Sequence, residues 1–280
     1  MMDGRARRPV DMEALPGSRA AALAPRPGTV ADTGLSQTFL GELIEKHLFD
    51  GGVLTIAALA KRTALTGAII EDLLAFLRKE GRIEVRAKPA EEHALRYGLT
   101  DRGRASATDA LMRGGYVGPA PVPLARYLTV AAAQSVRDRR VTQGRMREAY
   151  KDLVLDPAML DRLGPSMNSG KAIFVYGHAG TGKTYVTQRL ARLFDDSVLV
   201  PHAIAVGETV IQLFDPTLHK PIEYPEPAVL LQDGHDPRFV RCRRPVVITG
   251  GELGPDMLEV QYDPATRQYR APLQLKATNG

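Results

Sequence analysis

At 280 residues and 44% hydrophobic content, the chain is long enough for about two domains, each with its own buried core. Its net charge of +5 and pI near 9.3 arise from intermixed acids and bases, equal in number from Pro165 onward, so charge alone selects no partner. A single cysteine, Cys242, rules out an internal disulfide framework, and no run of 18 apolar residues is present to cross a membrane, so the expectation is a cytoplasmic protein.

Residues 1–33 are rich in Ala, Pro, Arg and Gly without a sustained period, which predicts a disordered leader. Ser36 is placed to cap a helix burying Phe39, Leu40, Leu43, Ile44 and Leu48, and Gly51-Gly52 would end it. A second helix is predicted over Thr55 to Thr63. A third spans Ala68 to Glu80, with Ile69, Ile70, Leu73, Leu74, Phe76 and Leu77 on its core face and Gly81 as the stop. Ile83-Glu84-Val85 alternates as a strand, Pro89 to His93 reads as a polar turn, and Leu95 to Leu99 reads as the returning strand. This order resembles the winged helix-turn-helix family and places such a domain over 34–113. The resemblance implies DNA binding through the start of the third helix. Glu71 and Asp72 stand there, however, where they would oppose phosphates, and Arg78 and Lys79 lie at the far end. A protein partner, or docking on the rest of the chain, is therefore favoured over nucleic acid.

Gly114 to Pro123 is too dense in Gly and Pro for a regular element and reads as a linker, the start of a connector over 114–164. Helical material is predicted from Leu124 to Tyr150, with Arg137, Arg139, Arg140, Arg145 and Arg147 on a solvated face. Asp156 would cap a short helix ending at Gly164-Pro165, and Asn168-Ser169-Gly170 a turn.

Gly177-His178-Ala179-Gly180-Thr181-Gly182-Lys183-Thr184 matches every fixed position of the phosphate-binding pattern G-x-x-x-x-G-K-[ST]. It follows a short apolar run, Ala172 to Tyr176, read as a strand, and precedes a helical run with Val186, Leu190 and Leu193 on one face. Backbone N–H groups wrap phosphates only where no Cβ intervenes, which suits Gly177, Gly180 and Gly182. Lys183 would reach the β- and γ-phosphates of ATP, and the Thr184 hydroxyl would ligate Mg²⁺.

Beyond the loop, Ala203 to Val206 and Thr209 to Phe214 flank Gly207-Glu208, and Leu258 to Tyr262 and Tyr269 to Leu275 flank Asp263 to Thr266. Both read as β-hairpins inserted into a nucleotide-binding fold. Hydrolysis needs an acid at the end of an apolar strand. Asp233, after Val229 to Gln232, has that outline; Glu252, three residues past the run Pro245 to Thr249, is the other candidate. Arg238, Arg241, Arg243 and Arg244 form the densest basic cluster, and alternation predicts Phe239 on one face and arginines on the other.

The phosphate loop resembles that of the AAA+ ATPases, with His178 and Ala179 where proline often stands. The resemblance is closest to bacterial ATPases that join an N-terminal winged helix to an AAA+ domain, some associated with pilus assembly or secretion. Asp215-Pro216, Asp236-Pro237-Arg238, Cys242-Arg243-Arg244-Pro245 and Gly250-Gly251-Glu252-Leu253 carry it alongside the loop. It implies an α/β P-loop NTPase domain over 165–280, of which the acidic strand, sensors and arginine finger would lie beyond Gly280. The chain would then bind ATP without completing hydrolysis alone. The implied function is an ATPase, homo-oligomeric when full length, that remodels or assembles a protein partner. The alternative is a winged-helix DNA-binding regulator switched by nucleotide.

Overall fold

Hydroxyl-capped helices, a three-stranded sheet and a mixed five-stranded sheet organise the computed structural model, which describes residues 16–86, 94–136, 139–169, 173–190, 193–194, 196–222 and 234–280. It is mixed α/β. Helix α1 (Pro16–Leu23) and a 3₁₀ turn (Ala31–Thr33) stand where a disordered leader is expected; residues 1–15 lie outside the described residues. Ala20 and Ala24 pack against Val122, Val130, Leu199 and Phe239. An eight-residue helix that buries Ala20 and half-buries Leu23 carries too little hydrophobic contrast to register as a period.

Helix α2 (Gln37–Gly51), strand β1 (Leu54–Thr55), helices α3 (Ile56–Thr63) and α4 (Gly67–Lys79), and strands β2 (Ile83–Arg86) and β3 (Arg96–Leu99) follow. Each helix begins on a hydroxyl: Ser36 accepts from the Phe39 amide at 3.1 Å, Thr55 from Ala58 at 3.2 Å, and Thr66 from Ile69 at 3.4 Å. Gly52, at φ 73°, ends α2. The strands form one antiparallel sheet in the order β1-β3-β2, and the turn expected at 89–93 lies outside the described residues. Helix α5 (Asp101–Arg113), capped by Thr100, packs along α2. Leu40, Ile44, Leu48, Leu59, Ile69 and Leu73 are nearly inaccessible in the core between these elements. Burial of that kind contributes about 1.5–3 kcal/mol per side chain.

The segment 114–123, expected as a linker, is a packed strap. Lys46 Nζ donates to the Gly114 carbonyl at 2.6 Å, His47 Nε2 lies 2.9 Å from the Gly118 carbonyl, and the Ala120 amide donates to Thr63 at 2.7 Å. Tyr116, Ala120 and Val122 are buried. The strap ends in β4 (Val122–Pro123), and α6 (Leu124–Ala133) and α7 (Gln143–Ala149) replace the single helix expected to Tyr150. The break falls where the buried Gln134 side chain turns to the Leu199 backbone, accepting from its amide at 2.5 Å and donating to its carbonyl at 3.2 Å. Helix α8 (Pro157–Asn168) runs through Gly164-Pro165 instead of ending there. Its last residue, Asn168, is fixed by paired bonds to the Val141 backbone at 2.7 and 2.9 Å.

Helix α9 (Lys183–Leu190) precedes β5 (Ser197–Pro201), β6 (Ala203–Val206), β7 (Thr209–Gln212), β8 (Phe239–Arg243), β9 (Gln261–Asp263), β10 (Gln268–Arg270) and α10 (Leu273–Lys276). Both expected hairpins form, β6–β7 across Gly207 at φ 60° and β9–β10 across Asp263 to Gln268. They are not separate insertions. With β4 they make one sheet, ordered β4-β6-β7-β10-β9, in which β4–β6 and β7–β10 run parallel. Strands β5 and β8 pair separately. Met146, Tyr150, Leu163, Val186 and Leu193 join α7, α8 and α9 in one cluster, so a domain boundary at 165 would cut a packed unit.

Arg238 departs from the alternation expected of the basic cluster, because it is as buried as its neighbour Phe239. Its Nη2 donates to Asp236 at 2.8 Å, and its Nη1 to the Thr33 and Pro121 carbonyls at 3.0 and 3.2 Å. Arg244 likewise binds Asp196 at 2.6 Å and the Gln134 and Asn279 carbonyls. Both arginines join backbone segments from distant parts of the sequence.

Two outcomes follow from these buried polar groups. Asp236→Asn, which strands the Arg238 charge, lowers the unfolding free energy by about 3–5 kcal/mol, whereas replacing both partners with apolar residues of similar volume costs less. Urea denaturation of the single and double variants measures this; equal losses would remove the charge argument. Burial lowers the pKa of His47 and of His219, and His219 Nδ1 accepts from the Asp215 amide at 2.9 Å while Nε2 faces the Lys276 carbonyl. The unfolded chain therefore binds protons more readily, so stability is complete above pH ~6.5 and declines as pH falls toward the folded values. The urea midpoint drops between pH 7 and 5, and less so in His219→Gln; an equal drop in both chains would exclude this histidine.

Candidate functional site

The eight-residue loop 177–184 stands at the surface, at the start of α9. Gly177, Gly180 and Gly182 hold φ at 151°, 80° and 80°. A residue with a Cβ would pay about 1–2 kcal/mol for the left-handed geometry at Gly180 and Gly182. The loop closes on itself: Lys183 Nζ donates to the carbonyls of Gly177 at 2.8 Å and His178 at 2.6 Å, and Thr181 Oγ1 donates to the same His178 carbonyl at 2.9 Å. His178 and Ala179 thus contribute backbone, their side chains lying exposed.

The first bond of the helix runs from the Val186 amide to the Gly182 carbonyl at 3.0 Å. The amides before it have no partner within the helix, so they present the positive end of α9 at the loop. Thr184 lies beside them, exposed, its carbonyl accepting from Thr187 Oγ1 at 3.0 Å. Tyr150 anchors the helix by donating its hydroxyl to the Val186 carbonyl at 2.8 Å; burial pushes this phenol up to about 12, so it stays a donor at neutral pH. Arg189 adds a bond to Tyr185 at 2.7 Å and an ion pair to Asp152 at 3.3 Å. Sequence reasoning identified the loop but not this support. The Tyr150 contact spans 36 residues and has no local pattern.

Two strand expectations change. The run expected as the strand before it, Ala172 to Tyr176, has its first residue outside the described residues, and 173–176 join no sheet. Phe174 and Tyr176 stand 87% and 83% exposed and stack with centroids 5.9 Å apart. The run Pro245 to Thr249 also joins no sheet, with Val246 and Ile248 exposed. Apolar alternation marks a strand only where neighbours supply a ladder, and the described residues supply none to either run. Asp233 lies outside the described residues. Glu252 is exposed and closes its own turn, accepting from the Gly250 amide at 2.9 Å; backbone bonds lower its pKa.

Among the described residues, no group of three or more His, Cys, Asp or Glu side chains is assembled to hold a metal. Metal ligation at the loop would therefore begin from the Thr184 hydroxyl and ligand oxygens, which suits Mg²⁺, a cation that keeps several waters. A cavity of about 510 Å³ opens between α7 and α8, lined by Val141, Met146, Arg147, Leu160, Pro165 and Asn168, on the helical unit that carries α9. Its size falls in the range of small-molecule sites. No protein-family profile matches this chain, and a search of curated proteins finds no relative.

Proposed function

We propose that residues 177–184 bind ATP with Mg²⁺, and that the chain is an AAA+-like P-loop ATPase preceded by a winged-helix module. The observation that carries the reading is the closed loop at the start of α9, with positive φ at Gly177, Gly180 and Gly182 and the Lys183 ammonium on the carbonyls of Gly177 and His178. A rigid ring of backbone with a lysine folded over it and a helix N-terminus beneath it is built for oxyanions. In the bound state Lys183 would exchange its two carbonyl contacts for β- and γ-phosphate oxygens. The Thr184 hydroxyl would be the protein's ligand to Mg²⁺, which would shield the phosphate charge. Gly177, Gly180, Thr181 and Gly182 would supply backbone, with the main chain of His178 and Ala179 completing the cradle.

The helices and sheet from α2 to α5 support a protein-docking role. Glu71 and Asp72 are exposed in the first half of α4, where a nucleic-acid reader needs cations or neutral donors. Nucleotide binding would then drive remodelling or assembly of a protein partner by a cytoplasmic homo-oligomer. No helix is long and apolar enough to cross a membrane among the described residues. Hydrolysis would need an acid in addition, with Asp233 and Glu252 as the candidates in this chain.

The decisive measurement is Mg·ATP binding and turnover by the full chain beside Lys183→Ala. Removing a charged donor from a phosphate site weakens affinity at least tenfold, since each such bond is worth about 1.5–3 kcal/mol. Equal affinity in both chains would sink the assignment of the loop. Lys183-dependent turnover would show that the catalytic acid is present.

A further inference from the structure

The five-stranded sheet leaves one edge open. In the order β4-β6-β7-β10-β9, one outer strand is β4, where Val122 is buried and Pro123 has no amide to offer. The other is β9, paired only to β10 among the described residues. Every residue from 234 to 280 is described, and Pro255 to Tyr262 are exposed apart from half-buried Met257. An edge strand presents a row of unmet backbone N–H and C=O groups, which makes it a template for a further strand.

Charge limits what can pair there. Between Pro245 and Thr266 the sequence carries four acids, Glu252, Asp256, Glu259 and Asp263, and no lysine, arginine or histidine, in a chain whose net charge is +5. Glu252 and Asp263 accept from backbone amides of their own turns. The carboxylates of Asp256 and Glu259 have no partner among the described residues, and both residues are exposed. Two copies of β9 side by side would bring these acids together, which opposes self-pairing. Nucleic acid is opposed for the same reason.

The two faces of the strand complete the pattern. Glu259, at φ −109° and ψ 159°, already runs extended into β9, so Val260 and Tyr262 share one face and Glu259 and Gln261 the other. Val260 and Tyr262 are 45% and 50% exposed. Tyr262 tilts against Tyr269 of β10 with ring centroids 4.8 Å apart, which extends the apolar face across two strands.

We propose that β9 accepts a strand from a protein partner, an extended peptide that alternates apolar and basic residues. Its apolar side chains would lie against Val260 and Tyr262, its cations opposite Glu259 and toward Asp256, and its backbone would meet the open edge. Main-chain bonds supply affinity in such a pairing, and the alternating side chains supply the selection. The assignment stands on the sheet and its charge, and does not rest on nucleotide binding at 177–184.

The probe is a fluorescein-labelled octapeptide alternating valine and lysine, blocked at both ends, titrated against the full chain without nucleotide and followed by anisotropy. Saturable binding is expected, and none with the peptide that alternates valine and glutamate. N-methylation of alternate amides, which keeps the lysine charges but removes donors, weakens binding about tenfold or more. The double variant Asp256→Lys, Glu259→Lys does the same, since it reverses two charges at exposed positions. Circular dichroism checks its fold, and Glu259→Gln, with a smaller loss, serves if the double variant fails to fold. Absence of saturable binding overturns the proposal, as does unchanged affinity in a folded variant. An N-methylated peptide that binds as tightly as its parent also overturns it, because attraction would then be charge without strand pairing.

Discussion

The buried ion pair between Asp236 and Arg238 lies where three distant parts of the chain meet, alongside the Ala24–Asp236 backbone bond and the packing of Ala20 and Ala24 on Val122 and Phe239. Its guanidinium reaches the carbonyls of Thr33 and Pro121, so the end of the N-terminal segment, the strap before β4 and the turn before β8 share one side chain. Taking two charges from water costs several kcal/mol per ion, which their attraction and hydrogen bonds recover only when the geometry is complete. The pair is therefore a poor source of net stability and a strong source of specificity. Any packing of the strap that leaves Arg238 without its carbonyls incurs the desolvation cost without the compensation.

That constraint shapes the region around the phosphate loop indirectly. Strap and sheet are fixed by burial and by Arg238 and Arg244, while the loop itself stands at the surface on a helix anchored by Tyr150, Val186 and Leu193. Rigidity at the loop comes from glycine geometry and from Lys183, not from surrounding core. A site built this way has its donors prearranged yet open to solvent, which suits a ligand that arrives and leaves repeatedly.

Much of the first half was legible in the sequence because its signals are local. Ser36, Thr55 and Thr66 cap the helices that follow them, Gly52 ends α2, and the apolar face of α4 reads directly as core. The closed loop at 177–184 was legible for the same reason, since its glycine spacing and lysine are a local pattern. What escaped was non-local. The packing of α1 rests on alanines, the strap's order rests on bonds to Lys46, His47 and Thr63, and the burial of Arg238 rests on carbonyls 205 and 117 residues away. The runs at 173–176 and 245–249 failed in the opposite sense, because their alternation suggests strands that no neighbour in the described residues completes.

The parallel pairing of β7 with β10 bears on the order in which the molecule can assemble during synthesis. Ile211 meets Tyr269, and β4 at residue 122 meets β6 at residue 204, so the five-stranded sheet cannot close until residue 270 has left the ribosome. The helices from α2 to α5, whose contacts lie mostly with one another, are complete once residue 113 has emerged, about 150 residues earlier. For that interval Val122, buried in the finished molecule against Leu199 and Phe239, has neither partner and stands open to water.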